Sequence, residues 1–188
     1  MRKLIYSMGV SLDEFIAGPG DNIDWSAPGE ELHRFHNTQA REIDTWLYGR
    51  KLYEVMRYWE TAEERPDIGE VELEWARIWK ATPKLVFSTT LDAVEGNATL
   101  VSGDAVDEVT RLKSEPGKDL GVGGAGLAST LIKAGLVDEY RLFINPIILG
   151  GGTPFFPPLE QRINLELVET RTFGSRVVYM RYRRVAAK

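Results

Sequence analysis

Strand-like apolar runs and helical stripes alternate along this chain. Lys3–Val10, rich in Leu, Ile, Tyr and Val, reads as a first strand, and Glu14–Ala17 either continues it or pairs nearby. The breaker cluster Gly18-Pro19-Gly20-Asp21-Asn22 predicts a loop. Across Gly29–Ile43, Leu32, Phe35, Gln39 or Ala40, and Ile43 fall on one helical face. Thr45–Tyr48 is a short strand ended by Gly49, and Arg50–Tyr58 follows as a helix with Leu52, Val55, Met56 and Trp59 on its apolar side. Ile68–Lys80 sets Val71, Trp75 and Ile78 or Trp79 in helical register, and Lys84–Ser88 is a strand after Pro83.

The second half repeats the alternation. Asp104–Lys113 reads as a helix whose first N–H groups the Asp104 carboxylate can cap. Asp119–Val122 is a strand, and Ala125–Ala134 a helix closed by Gly135. Glu139–Asn145 and Pro146–Leu149 are both strand-like, and Leu165–Thr172 and Arg176–Tyr182 flank the hairpin signal Phe173-Gly174-Ser175. Strands separated by helices predict a layered α/β sheet, made mixed by the antiparallel hairpin. No linker divides the chain, so residues 1–188 are expected to form one domain.

Composition narrows the function classes. The 188 residues contain no cysteine, which excludes disulfides, thiolate chemistry and cysteine-type zinc sites. Net charge is −5, against a nucleic-acid partner; Arg181, Arg183 and Arg184 read as the solvated face of a last strand. Asp13 and Glu14 interrupt the first apolar stretch, so no signal peptide is predicted, and no run approaches the roughly 18 apolar residues of a membrane span. A cytoplasmic protein with no membrane partner is expected.

Three strand ends carry candidate chemistry. In Asp119-Leu-Gly-Val-Gly-Gly-Ala-Gly-Leu-Ala-Ser129, glycines join a strand to a helix start, where unpaired N–H donors and the helix dipole favour phosphate. The spacing is not the Rossmann G-x-G-x-x-G, and no P-loop lysine follows. In Leu47-Tyr-Gly-Arg-Lys-Leu-Tyr-Glu54, Arg50 and Lys51 occupy a first helical turn, where the dipole disfavours cations unless an anion also binds. Ser88, Thr89 and Thr90 put hydroxyls just past a third strand, able to meet a ribose or to cap a turn. In open α/β sheets, ligands lie beyond the carboxyl ends of the strands.

With these segments in view, the chain resembles the dihydrofolate reductase superfamily. It is most similar to the reductase domain of bifunctional riboflavin-biosynthesis deaminase-reductases and its stand-alone relatives. SMGVSLDEFIAG resembles the family's first strand and turn, Asp24-Trp25 a tryptophan-bearing active-site loop, and LYGRKLYE the family's G-R-x-T-x-E. GVGGAGLASTLIKAGLVDEYRLFINPIILGGGTPFF is the most specific stretch, because its glycine turn, GLVDE and P-x-x-L-G-G-G occur in the family's order.

The resemblance implies a three-layer α/β/α fold with a mixed, mostly parallel sheet of about eight strands. It also implies extended NADPH as cofactor, in preference to NADH. Carried over, Gly123 and Gly124 would form an unusual, cis Gly–Gly peptide at the pyrophosphate, a costly bond that glycine tolerates best. Ala125, Gly126 and Leu127 would offer N–H groups to phosphate, and Gly49, Arg50, Lys51 and Leu52 would meet it from the second helix start. Ser88 and Thr89 would sit at the adenosine ribose, and Gly9 and Ile16 at the nicotinamide carboxamide. Three residues depart from the pattern: Glu14 replaces a frequent glycine, Leu52 a threonine, and Thr89 a position where arginine can bind the 2′-phosphate. The metal-binding deaminase domain, which needs cysteines, is not expected among these cysteine-free residues.

Reduction of an imine or carbonyl also needs a proton, which a carboxyl with a pKa raised by burial could supply. Asp24, Glu30 and Glu31 are the alternatives: Glu30 keeps the family's spacing from the tryptophan, and Glu31 keeps the spacing to Leu32 and Phe35. Glu30 and Glu31 would equally serve to favour a helix start. Trp25 and Tyr53, with Tyr48 and Trp59, could line the pocket of a flat small-molecule substrate, whereas Trp46, Trp75 and Trp79 read as core or interface aromatics. His33 and His36 lack a third ligand, so no metal site is expected. Gly150-Gly151-Gly152 reads as a strand-ending turn, and Phe155-Phe156-Pro157-Pro158 could supply a homodimer surface.

Overall fold

The computed structural model describes residues 1–185, so the last three positions of the expected single-domain span lie outside the described residues. Its elements run β1 (Leu4–Val10), β2 (Phe15–Ala17), α1 (Glu30–Ala40), β3 (Ile43–Gly49), α2 (Arg50–Met56), α3 (Tyr58–Thr61) and α4 (Glu70–Ala81). Then come β4 (Lys84–Phe87), β5 (Ala98–Val101), α5 (Ala105–Ser114), β6 (Asp119–Gly123), α6 (Ala125–Lys133), β7 (Glu139–Ile144), β8 (Thr153–Pro154), β9 (Leu165–Thr172) and β10 (Val178–Arg184).

Among the described residues, eight strands form one mixed sheet in the order β5-β4-β3-β6-β1-β7-β10-β9, and β2 pairs with β8 apart from it. From β5 to β7 every pairing is parallel; β10 is antiparallel to both its neighbours. The period of two along each strand sorts side chains between two helical layers. On one face Leu4, Tyr6 and Val10 of β1, with Leu120 and Val122 of β6, join Val109 of α5 and Leu131 of α6 in the main core. On the other, Ile5, Ser7 and Gly9 of β1 and Gly121 and Gly123 of β6 face α1 and the start of α2.

Several boundaries differ from expectation for local reasons. Pro146–Leu149 forms no strand. Asp13 holds this segment instead, its carboxylate accepting from the Leu149 and Gly150 N–H groups at 3.0 and 2.8 Å. The helix expected over Arg50–Tyr58 breaks after Met56 and resumes as α3. β5 is a half-exposed four-residue edge strand and β8 has two residues, too short for a periodic signal. Asp104 does cap α5, accepting from the Val106 and Asp107 N–H groups.

Candidate functional site

β6 carries almost no side chains on its α1 face. Gly121 pairs with Trp46 of β3, and Gly123 with Tyr48. A Cβ at Gly121 would overlap the Trp46 ring, and one at Gly123 would lie 2.5 Å from Leu52 Cδ2 and 3.0 Å from Tyr48 Cε1. These two glycines thus make room for aromatic rings lying against the sheet, a role the sequence reading did not assign them.

The turn that follows is made differently from the expectation. Among the described residues every peptide bond is trans, so the Gly123–Gly124 bond is not cis. Gly124 turns the chain by a positive φ of 88°, open to glycine at little cost, and becomes the N-cap of α6. The first intrahelical bond runs from the Ala128 N–H to the Gly124 carbonyl, leaving the N–H groups of Ala125, Gly126 and Leu127 without helical partners. A Cβ on Gly126 would meet nothing within 4 Å, so the turn is open on that side.

The start of α2 stands beside it, because β3 and β6 are neighbours. Gly49 is its N-cap with no side-chain cap, and its first turn holds no acid. Lys51 is tied to Asp21 at 3.0 Å, whereas Arg50 forms no ion pair among the described residues. At the end of β4, the Ser88 hydroxyl accepts from the Thr90 and Leu91 N–H groups, both at 3.1 Å, so it caps its own turn. Thr89 is exposed there.

Between this glycine floor and α1, α2 and α4 lies a cavity of about 180 Å³. Its walls differ in chemistry. Trp46, Tyr48, Leu52, Met56 and Trp75 make an aromatic and aliphatic side; Ser7, His36, Gln39 and Arg141 make a polar one. Arg141 is fixed from behind by Glu139 at 2.7 Å and Glu42 at 2.8 Å. Burial would raise the Glu139 carboxyl, but Arg141 and Arg181 outweigh that and hold it below its ordinary value. His36 lies 4.2 Å from the Phe143 ring, centroid to centroid, and burial pushes its pKa down to about 4.

The aromatic assignments are partly reversed. Tyr48 borders the cavity, but Trp25, Tyr53 and Trp59 do not, whereas Trp46 and Trp75 do. Tyr53 is buried in the core beside Trp79, its hydroxyl accepting from the Glu95 N–H at 2.8 Å. Trp25 donates its indole N–H to the Asn22 carbonyl in a turn whose next residue, Ser26, has its Cβ 4.0 Å from a Cβ built on Gly9. Gly9 borders the cavity; Ile16, in β2, packs against the main core. Trp46 packs against a buried cluster as expected and also borders the cavity, a second role that a periodic apolar pattern does not reveal for it or for Trp75.

None of the three carboxyls is buried, and none borders this cavity. Glu30 pairs with Arg34. Glu31 accepts from the Gly174 N–H and Arg171, both at 3.0 Å, and these bonds lower its pKa, opposite to the shift expected of a poised acid. Asp24 is exposed in the turn before α1.

This doubly covered mixed sheet, with a glycine turn opening beside a cavity on one face, defines a dihydrofolate-reductase-like domain. Residues 2–179 match the RibD C-terminal domain family, and the chain belongs to it. It is 40% identical over 182 residues to the uncharacterized protein YyaP of Bacillus subtilis, covering 96% of this chain and 94% of that one. Identity to the uncharacterized protein YwjB of the same organism is 28% over 179 residues, covering 94% and 95%. Among solved structures, it resembles a putative riboflavin biosynthesis protein from Shewanella sp. PV-4 (TM-score 0.73, 21% identity, 99% of this chain and 100% of that one). It also resembles a dihydrofolate reductase from Enterococcus faecalis complexed with NADP(H) (0.65, 18%, 97% and 96%). A third likeness is to a diaminohydroxyphosphoribosylaminopyrimidine deaminase/5-amino-6-(5-phosphoribosylamino)uracil reductase from Thermotoga maritima (0.65, 14%, 98% and 57%). These likenesses fix the fold. Among the described residues no helix is long and apolar enough to cross a membrane.

Proposed function

We propose that this chain is a reductase that uses NADPH, in preference to NADH, to reduce a small planar substrate held in the cavity. One juxtaposition carries the reading: two helix starts with unpartnered N–H groups stand at the ends of paired strands β3 and β6, and the same strands floor the cavity. The open side of Gly126 fits a phosphate, since no Cβ blocks the approach. Ala125, Gly126 and Leu127 would hold the pyrophosphate with Arg50, Lys51 and Leu52; Ser88 and Thr89 would meet the adenosine ribose. Gly9 and Ile16 would offer backbone groups to the carboxamide. The cofactor, when bound, supplies the hydride; the protein orients and desolvates the partners. The membership in the RibD C-terminal domain family and the NADP(H)-bound dihydrofolate reductase likeness support this reading.

Proton delivery falls to the turn over Gly9. Of the three carboxyls, Glu30 pairs with Arg34 and Glu31 with Arg171, which leaves Asp24, two residues before the Ser26 that approaches Gly9, as the proposed donor. One observation favours a second reading, a non-catalytic NADP(H)-binding module: no carboxyl borders the cavity. Tryptophan emission can report binding, because Trp46 and Trp75 line the cavity, and turnover distinguishes the cases. NADPH and NADH are titrated first, and NADPH oxidation is then followed with dihydrofolate and with a pyrimidine precursor. Saturable NADPH binding with turnover is expected. Binding without turnover on either substrate supports the module, and no binding at millimolar cofactor overturns both.

A further inference from the structure

The polar wall of the cavity is chemically one-sided. Ser7 of β1 and Arg141 of β7 are register partners in adjacent parallel strands, so their side chains share the α1 face. Among the described residues the Ser7 hydroxyl, both His36 ring nitrogens and Arg141 Nη1 form no hydrogen bond, while Arg141 Nε and Nη2 are taken by Glu139 and Glu42. Gln39 donates Nε2 to the Tyr179 hydroxyl at 2.8 Å, which fixes its amide. Ser7 and His36 are half-buried and Arg141 is buried, and all three border the same cavity, where an incoming ligand could bond them. Three of the four are donors to an incoming ligand: the hydroxyl, the neutral imidazole N–H and the guanidinium. No Asp or Glu borders the cavity, so no carboxylate there could pair with the charge of an amidinium edge. Opposite stand the Trp46 and Trp75 rings, suited to a flat conjugated face.

We infer that this pole of Ser7, His36 and Arg141 recognises the carbonyl or carboxylate oxygens of a planar conjugated substrate in preference to an amidinium edge on a molecule of the same shape. The inference rests on the cavity being the substrate site of the proposed reductase. Because Glu139 and Glu42 already balance Arg141, the selection comes from donor geometry as much as from charge, so a neutral carboxamide is accepted along with a carboxylate.

Three near-isosteric probes test this: 2-naphthoate, 2-naphthamide and 2-naphthamidine, titrated against the full chain with and without saturating NADPH. Naphthoate and naphthamide should each bind at least about tenfold more tightly than naphthamidine, the discrimination expected when unpaired polar groups face the wrong edge. His36→Leu keeps the apolar contact with Phe143, and Arg141→Lys keeps a charge against Glu139. Each should shrink the naphthamide-to-naphthamidine ratio, a change that general loosening of the fold would not produce. Should His36→Leu fail to fold, Ser7→Ala reads the same ratio. Equal or tighter binding of naphthamidine overturns the inference, as does binding of none of the three. Failure of NADPH to bind overturns the reductase reading separately, since the probe ratio is also measured without cofactor.

Discussion

Trp46 and Gly121 face each other across β3 and β6, and the indole occupies the space where a Cβ on Gly121 would stand. The same ring borders the cavity, so the glycine sets the cavity's floor and the tryptophan its wall. Gly121→Ala should therefore push the ring toward the cavity. Overpacking of this kind costs about 1–3 kcal/mol. A thermal melt should show the loss, and Trp46→Leu in the same chain should recover part of it. A Gly121→Ala protein as stable as the parent would contradict the placement.

Gly124 and Gly126 stand two residues apart in one turn yet do different work. At φ 88°, Gly124 is in a region that side chains rarely adopt, and a Cβ there would also lie 3.3 Å from Leu52 Cβ. Gly124→Val should cost roughly 1–3 kcal/mol of stability in addition to abolishing NADPH binding. Gly126 has ordinary helical backbone and open space, so Gly126→Val should fold with an unchanged melting temperature. It should still weaken NADPH about tenfold or more, because the branched side chain fills the approach to the orphan N–H groups. Unchanged NADPH affinity in folded Gly126→Val would move the phosphate elsewhere.

These glycines show where the sequence was legible. Strand, glycine turn and helix start could be read over residues 119–134 because each signal is local. The layered architecture followed from alternation in the same way, and the family resemblance was met by the match over residues 2–179. What was not legible depends on contacts remote in sequence. Glu31 is captured by Arg171 and Gly174 from the far hairpin, and Tyr53 turns its hydroxyl to Glu95. Ser7, His36 and Arg141 lie on three separate elements, and no spacing rule connects them. Only Ser7 carried an individual signal, a polar position between Ile5 and Gly9 on one strand face, and Arg141 instead follows the charged Glu139 on its own face.

Arg50 and Lys51 offer a paired test of the second helix start. Lys51 is engaged by Asp21, whereas Arg50 has no ion pair among the described residues and lies where the dipole is unfavourable to it. A bound anion would relieve that placement. Arg50→Ala should therefore weaken NADPH by about five- to twentyfold and flatten the salt dependence of binding. Lys51→Ala should weaken it less. Fluorescence titrations across a range of salt concentrations would show this; equal losses from both variants would mean that Arg50 has no special role.

His36 gives a pH signature with a definite sign. Burial lowers its pKa to about 4 in the folded chain, below the value near 6.5 of an exposed imidazole. Between those values the unfolded chain binds more protons, so stability falls as pH falls through that window. A difference of this size corresponds to about 3 kcal/mol, fully present above pH 6.5 and lost once pH is below 4. His33, the charged neighbour on the same helix, lowers the His36 pKa further as it protonates. His33 is also lowered by burial, against Glu72 and Glu74. His36→Leu should flatten the acid limb of the denaturant-midpoint profile while leaving the region above neutrality unchanged in slope. The same variant removes a donor from the cavity, so a flattened stability profile together with a reduced naphthamide preference would place the neutral imidazole at the substrate's edge. A profile as steep in His36→Leu as in the parent would assign the acid sensitivity to the carboxylates and leave His36 as packing alone.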